Sequence, residues 1–177
     1  RERVRAAINH QQPDRVPLDL GSTAVTGIAA GTYARLRRSL GLPDNPPRVT
    51  EPFQVLADVE DDVRDALGID TVGVGLPDTF FGFRNENWKP WRLFDGTDVL
   101  VPGKFVVQED ANGDLLIYPH GDTSLPPSGR MPRGGYYFDW IIRQEKLDWD
   151  HLDPREWADQ MFSIYSDADV RYLADAA

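Results

Sequence analysis

Cysteine is absent from this chain of 177 residues. That excludes disulfides and thiolate metal ligands within the sequence. Histidine is scarce, with three in all, and His10, His120 and His151 fall at no zinc-ligand spacing. Positive charge is also short: 19 Lys and Arg against 29 Asp and Glu leave a net charge of −10. An acidic balance argues against nucleic acid, whose phosphates reward a basic face, and against an anionic membrane surface. The surplus reads as a solubility feature. No run of about 18 apolar residues occurs, so no membrane-span signal is present. No short apolar leader region marks the N-terminus, and the cytoplasm is the expected compartment. No repeat of solenoid length is visible.

What is present suits a packed fold. Apolar residues make up 41% and aromatics 11%, which a disordered chain would not carry. A chain of about 150 residues can bury roughly 68–70% of its unfolded surface. The chain opens on Arg1 rather than Met, which leads us to expect a further stretch upstream.

The first half alternates helical and extended patterns. Val4, Ala7 and Ile8 share one helical face, and Pro13 follows in a turn. Residues 16–20 (Val-Pro-Leu-Asp-Leu) read as a short strand, with Pro17 suited to a strand start or edge. A small-residue loop, residues 21–27, leads into a helix carrying Ile28, Tyr33, Leu36 and Leu40 and ending at Gly41-Leu42-Pro43. Residues 47–50 are extended. The spacing of Val55, Leu56, Val59, Val63, Ala66 and Leu67 predicts a helix from Pro52 to a glycine cap at Gly68. Residues 71–74 then read as a buried strand. Strand, helix and strand at this spacing imply a parallel sheet, with residues 16–20 and 71–74 in it.

The pattern changes after Pro77. Residues 88–137 are rich in aromatics and turns. Asp95-Gly96 and Asn112-Gly113 each separate two strand-like runs, so an antiparallel β meander inserted into the α/β frame is expected, followed by a Pro/Gly-rich loop over residues 125–135. Helix is expected again from Pro154, with Trp157, Met161 and Ile164 apolar, and once more from Asp167.

The opening Arg1-Glu2-Arg3-Val4 to Asn9-His10, then Pro13-Asp14-Arg15-Val16-Pro17-Leu18-Asp19, resembles the start of uroporphyrinogen decarboxylase superfamily proteins. The phrases Leu67-Gly68-Ile69-Asp70-Thr71-Val72, Trp88-Lys89-Pro90-Trp91 and Asp95-Gly96-Thr97 are similar to its corrinoid-dependent methyltransferase-like branch. The resemblance implies an α/β fold, the N-terminal part of a TIM (β/α)8-type barrel carrying the meander. A whole barrel takes about 250 residues, so only the front portion is expected here. That portion by itself is expected to be inactive and prone to self-association. In true decarboxylases an arginine-bearing motif after the first strand neutralises the substrate's carboxylates. Here residues 21–27 (Gly-Ser-Thr-Ala-Val-Thr-Gly) contain no arginine, which favours the methyltransferase branch.

The resemblance implies methyl transfer between a small-molecule donor or acceptor and a cobalt corrinoid (cobalamin) as methyl carrier, with a corrinoid protein as partner. Zinc is expected only in the C-terminal half of such a barrel, and no metal ligand is assigned in this chain. Porphyrinogen decarboxylation is the rival activity, and a non-catalytic interaction module the rival outside enzymes. By position after the second strand, the resemblance makes Asp78 the catalytic candidate. Asp19 ends the first strand, where barrel active sites sit; it reads as a substrate or cofactor contact or as a turn partner for the next loop. Ser22, Thr23 and Thr26, between glycines, can bind an anion through backbone N–H groups or cap the following helix. Glu51 reads as a general base or as a helix N-terminal charge. Trp88, Trp91, Phe94, Tyr136, Tyr137 and Phe138 can line a flat-ligand pocket or form the core of the meander.

Overall fold

The computed structural model describes residues 2–143, 150, 155 and 166–176. Helix α1 (Glu2–Ile8) opens the chain, and α2 (Ala30–Ser39) follows the small-residue loop. Strands β1 (Val49–Glu51) and β2 (Leu56–Ala57) form an antiparallel pair ahead of helix α3 (Asp61–Leu67). Strands β3 (Lys89–Arg92) and β4 (Asp98–Val101) form one hairpin. Strands β5 (Val107–Glu109), β6 (Leu115–Ile117), β7 (Gly129–Met131) and β8 (Asp139–Trp140) form a four-stranded antiparallel sheet. Helix α4 (Asp167–Ala176) comes last. The helix expected at Pro154 to Ile164 lies outside the described residues.

Both hairpins turn where turn chemistry placed them. Trp91 faces Val99 and Arg92 faces Asp98 across the first; Gly96 takes φ 84° and the Asp95 carboxylate accepts the Thr97 amide at 3.0 Å. In the second, Glu109 faces Leu115, Gly113 takes φ 85°, and Asp110 Oδ1 accepts the amides of Asn112 and Asp114. The loop expected over residues 125–135 is corrected in part, because β7 lies inside it. Gly129 and Met131 are buried there, and Arg130 pairs with the buried carboxylate of Asp114.

The helix expected from Pro52 is also corrected. Val55 takes φ 56°, which no helix allows, and β2 pairs with β1. The backbone of this stretch finds other partners: Ala30 donates to the Val55 carbonyl at 2.9 Å, Ala57 to Ile28 at 2.9 Å and Asp58 to Arg48 at 2.8 Å. Val55, Val59 and Val63 are buried as their spacing implied, but only Val63 is buried from a helix. Periodicity identified the inward residues, and long-range backbone pairing chose the conformation. Helix α3 ends as read, with Gly68 left-handed at φ 65° and Ile69 donating to Arg64.

One cluster of buried residues joins the two halves. Tyr33, Val49, Val59 and Val63 pack in the same core as Val99, Val101, Ile117 and Phe138. Phe81 lies between them, stacked on Phe83 at 6.2 Å and edge-on to Phe138 at 6.1 Å. The meander is therefore fastened to the helical half by shared apolar burial.

Neither residues 16–20 nor 71–74 form a strand ladder, contrary to expectation. They do lie side by side. The Asp70 amide donates to the Leu18 carbonyl at 2.8 Å, Thr71 Oγ1 reaches Asp19 at 2.6 Å, and Gly73 abuts the Ser22 backbone. Later residues of one meet later residues of the other, so the segments run in the same direction. Pro17 has no N–H, and the Leu18 amide is taken by the Asp70 carboxylate at 2.9 Å, so donors for repeated ladder bonds are missing.

Asp70 pins the chain start to this pair. It receives Arg3 and, at 2.8 Å, Arg15, and Arg3 also grips Asp14. The Arg3 contact holds the Asp14 carboxyl down to about 2. The Leu18 amide does most to hold the nearly buried Asp70 carboxyl below the usual range; burial opposes it, and the two arginines add to it. A carboxyl depressed in the folded state stabilises the fold above its unfolded value and loses that contribution as pH falls through the folded value. Asp70→Asn is thus expected to be less stable than wild type at neutral pH, with the gap closing below about pH 4. Urea unfolding at a series of pH values checks this; a gap independent of pH would contradict it.

Candidate active site

The two parallel-running segments meet at a compact polar cluster, where the first ends and the second begins. Asp19 Oδ2 accepts the Ser22 hydroxyl at 2.6 Å, and Oδ1 accepts the Thr71 hydroxyl at 2.6 Å and the Ser22 amide at 3.3 Å. Gly21, at φ 82°, makes the turn that brings Ser22 back toward Asp19, and its amide donates to the Thr26 carbonyl. Burial works to raise the Asp19 carboxyl, but hydrogen bonds from Ser22, Thr71 and Thr26 outweigh it and hold it below its ordinary value. A carboxylate stabilised in this way is a poor proton shuttle near pH 7, where an effective base titrates close to the working pH. It is a good fixed acceptor. Its side chain faces solvent, where the negative charge of the carboxylate can attract a donor group or a cation on a ligand.

Of the residues read from sequence, Asp19 and Ser22 come together. Thr23 is used locally: its amide and hydroxyl each lie 3.3 Å from Thr26 Oγ1, and its carbonyl accepts the Thr26 amide. That pairing closes a short 3-10 turn at Ala24–Thr26, whereas α2 is preceded by Ala29 with no side-chain cap, so Thr23 does not cap that helix. Glu51 lies elsewhere, at the end of β1, where its carboxylate accepts the amides of Phe53 at 3.0 Å and Gln54 at 2.7 Å. Burial pushes its carboxyl up, and these two amides partly offset the effect. Glu51 ties the β1–β2 turn; the helix N-terminus expected after it does not form. Asp78 stands in an exposed turn, bridged to Arg84, with a long ion pair of 3.8 Å. Among the described residues, no hydrogen bond or ion pair joins Asp19 to Glu51 or Asp78.

Thr71 was missed by sequence reasoning. Its signal was its place directly after Asp70, at the start of the second extended segment, which puts its hydroxyl opposite Asp19. Arg3 and Arg15 are consumed by Asp14 and Asp70, so neither adds free positive charge to the cluster. His10 and His120 both sit at positive φ in turns, and His120 Nδ1 lies 2.8 Å from the Gly82 carbonyl; His151 lies outside the described residues. Among the described residues no group of three or more His, Cys, Asp or Glu can hold a metal ion. No helix among them is long and apolar enough to cross a membrane.

The aromatic set divides. Phe138 is buried and Trp91 packs on Phe105 at 4.8 Å, as core. Trp88 lies under the Arg48 guanidinium at 5.6 Å. Phe94, Tyr136 and Tyr137 are exposed. A pocket of about 440 Å³ opens between the start of α2, the β3–β4 turn and residues 131–136.

Comparison with known proteins finds no matching family model, no matching curated protein and no matching solved structure.

Proposed function

We propose that this chain is the N-terminal part of a uroporphyrinogen decarboxylase-like cytoplasmic enzyme, an incomplete (β/α)8-type barrel acting in methyl transfer to or from a cobalt corrinoid carried by a partner protein. The observation that carries the reading is the pair of same-direction segments, residues 16–20 and 71–74, which meet at Asp19 and Thr71. Active-site groups of barrels stand at the C-terminal ends of parallel strands; Asp19 and Ser22 follow the first segment in that way, and Thr71 joins them from the start of the second. Val16, Val72 and Leu76 are more than half exposed, as apolar residues of a parallel sheet are before neighbouring elements cover them. In this reading Asp19 orients the methyl-bearing or methyl-accepting molecule through a hydrogen bond. Among the described residues no cluster of three or more His, Asp or Glu could hold a zinc ion. Decarboxylation of a polycarboxylate is the weaker reading, because the loop after Asp19 lacks arginine and Arg3 and Arg15 are already paired.

The same exposed apolar residues also suit a non-catalytic module that presents them to a partner. One assay separates the readings. Methyl transfer from methylcobalamin to thiols, and loss of CO2 from uroporphyrinogen, are measured with the longest form of the protein its gene encodes, as wild type and Asp19→Ala. The expected result is methyl transfer that falls by about tenfold or more in the variant, the scale of one lost charge-assisted hydrogen bond. Decarboxylation without methyl transfer would contradict the proposal, as would turnover indifferent to Asp19; absence of both activities would favour the module.

A further inference from the structure

The pocket beside α2 contains none of Asp19, Glu51 or Asp78, and what it could bind is independent of the function proposed above. Its apolar lining includes Trp91, Leu93, Phe94, Leu115, Met131 and Tyr136. Phe94 and Tyr136 meet edge-to-face at 4.5 Å and 85°, yet they are 50% and 66% exposed. An exposed aromatic pair beside an apolar recess is the kind of patch that marks a binding site, and it offers a ring face and a ring edge to a flat guest.

The charged groups around the recess decide what else the guest carries. Five lie there: Arg35, Arg92, Arg133, Asp95 and Glu109. Three are committed. Arg35 reaches Asp95 at 3.4 Å and Thr32 at 3.1 Å. Arg92 forms a two-point pair with Asp98 across the first hairpin, at 2.8 and 3.0 Å. Asp95 is further tied by the Thr97 amide. The side chains of Arg133 and Glu109 make no ion pair or hydrogen bond among the described residues, with each other or with anything else. Both approach Gly113, where a Cβ would come 3.1 Å from Arg133 Cδ and 3.5 Å from Glu109 Oε1. One cation and one anion, each unpaired among the described residues, thus flank the same glycine beside the apolar recess. An aromatic acid would leave Glu109 unanswered and bring a like charge near it; an aromatic amine would do the same to Arg133.

We propose that this pocket binds a free aromatic amino acid or a close zwitterionic analogue. The ring lies in the recess against Phe94 and Tyr136, the carboxylate takes the Arg133 fork, and the ammonium faces Glu109. The turn bearing Arg133 is braced by Gly135 donating to the Pro132 carbonyl at 2.7 Å and by the Arg133 amide donating to Asp114 at 2.8 Å. The cation therefore stands on a supported backbone.

The test uses fluorine NMR of three probes with the 177-residue chain: 4-fluoro-L-phenylalanine, 3-(4-fluorophenyl)propionate and 4-fluorophenethylamine. Saturable binding of the amino acid is expected in the millimolar range or tighter, with the acid and the amine each weaker by about tenfold. Arg133→Gln should bring the amino acid to the level of the amine, and Glu109→Gln to the level of the acid. Both positions are exposed, and circular dichroism confirms that the variants fold. No saturation up to about 10 mM, equal binding of all three probes, or affinities unchanged in both variants would each overturn the proposal.

Discussion

Arg37→Ala is expected to lower the unfolding free energy by about 3 kcal/mol, the lower end of the cost of breaking a buried charge network. Arg37 is 1% exposed, the most enclosed charged side chain among the described residues. It emerges from α2 and ties that helix to the start of α3 and to the loop at Pro43. Its Nη1 reaches Glu60 at 2.6 Å and Asp62 at 2.8 Å, Nη2 reaches Asp62 at 2.9 Å, and Nε donates to the Pro43 carbonyl at 3.1 Å. The Tyr33 hydroxyl stands beside it, accepting the Glu60 amide at 2.9 Å. Removing the guanidinium unties α2 from the start of α3 and opens a cavity. The two carboxylates are 46% and 39% exposed and can rehydrate, which keeps the cost from rising further. A loss of that size lowers Tm by roughly 10 °C in a chain of this length. Arg37→Met keeps the apolar stem and should cost less. The effect also depends on pH. The Arg37 hydrogen bond is the main reason the Asp62 carboxyl lies below its usual value. The Arg37–Asp62 contribution is therefore complete above about pH 4 and fades as pH falls through the folded value. Thermal melts of the three proteins at neutral and acid pH check this; a neutral-pH cost in Arg37→Ala below about 1 kcal/mol, typical of a surface pair, would contradict it.

Gly73→Ala should be nearly as damaging, at about 2 kcal/mol, the ordinary scale of an overpacked contact. A Cβ at Gly73 would run into the Ser22 carbonyl and Cα. The obstacle is backbone, so no rotamer change relieves it, and the segments must part. Parting them also separates Thr71 from Asp19. Gly75 supplies the control: it lies two residues on, its φ is not positive, and nothing stands within 4 Å of its Cβ position. Gly75→Ala should be neutral or slightly stabilising, since alanine loses less chain entropy on folding. Denaturant unfolding of both variants compares them under one protocol. Equal stabilities would mean that residues 22 and 73 do not touch.

Much of the fold was legible where local chemistry decides it. Asp95-Gly96 and Asn112-Gly113 demand tight turns, and Gly41 and Gly68 supply left-handed helix ends; all four appear where read. The errors arise where distant partners override local pattern. Val55 to Val63 carry a helical spacing, but the carbonyl of Val55 and the amides of Ala57 and Asp58 are claimed by Ala30, Ile28 and Arg48. Gly129–Met131 looked like loop because glycine and proline surround it, yet Asp114 reaches across to Arg130 and pairing with β6 follows. The candidate site was half visible. Asp19 and Ser22 lie three residues apart and could be linked by eye. Thr71 is 52 residues further along than Asp19, and only the parallel course of the two segments brings it there. That Glu109 and Arg133 have no side-chain partner among the described residues was invisible for a related reason: being unpaired is a property of the folded surroundings.

The most direct measurement is a nuclear Overhauser spectrum of the isotope-labelled chain, read for contacts between residues 18–22 and 70–73. Cross-peaks linking the Asp70 amide to Leu18 and Asp19, together with Gly73 to Ser22, are expected, because the two segments run side by side in the same direction. Cross-peaks in the reverse order, Asp70 with Ser22 and Gly73 with Leu18, or none between the segments, would contradict the parallel pair and with it the barrel-type site.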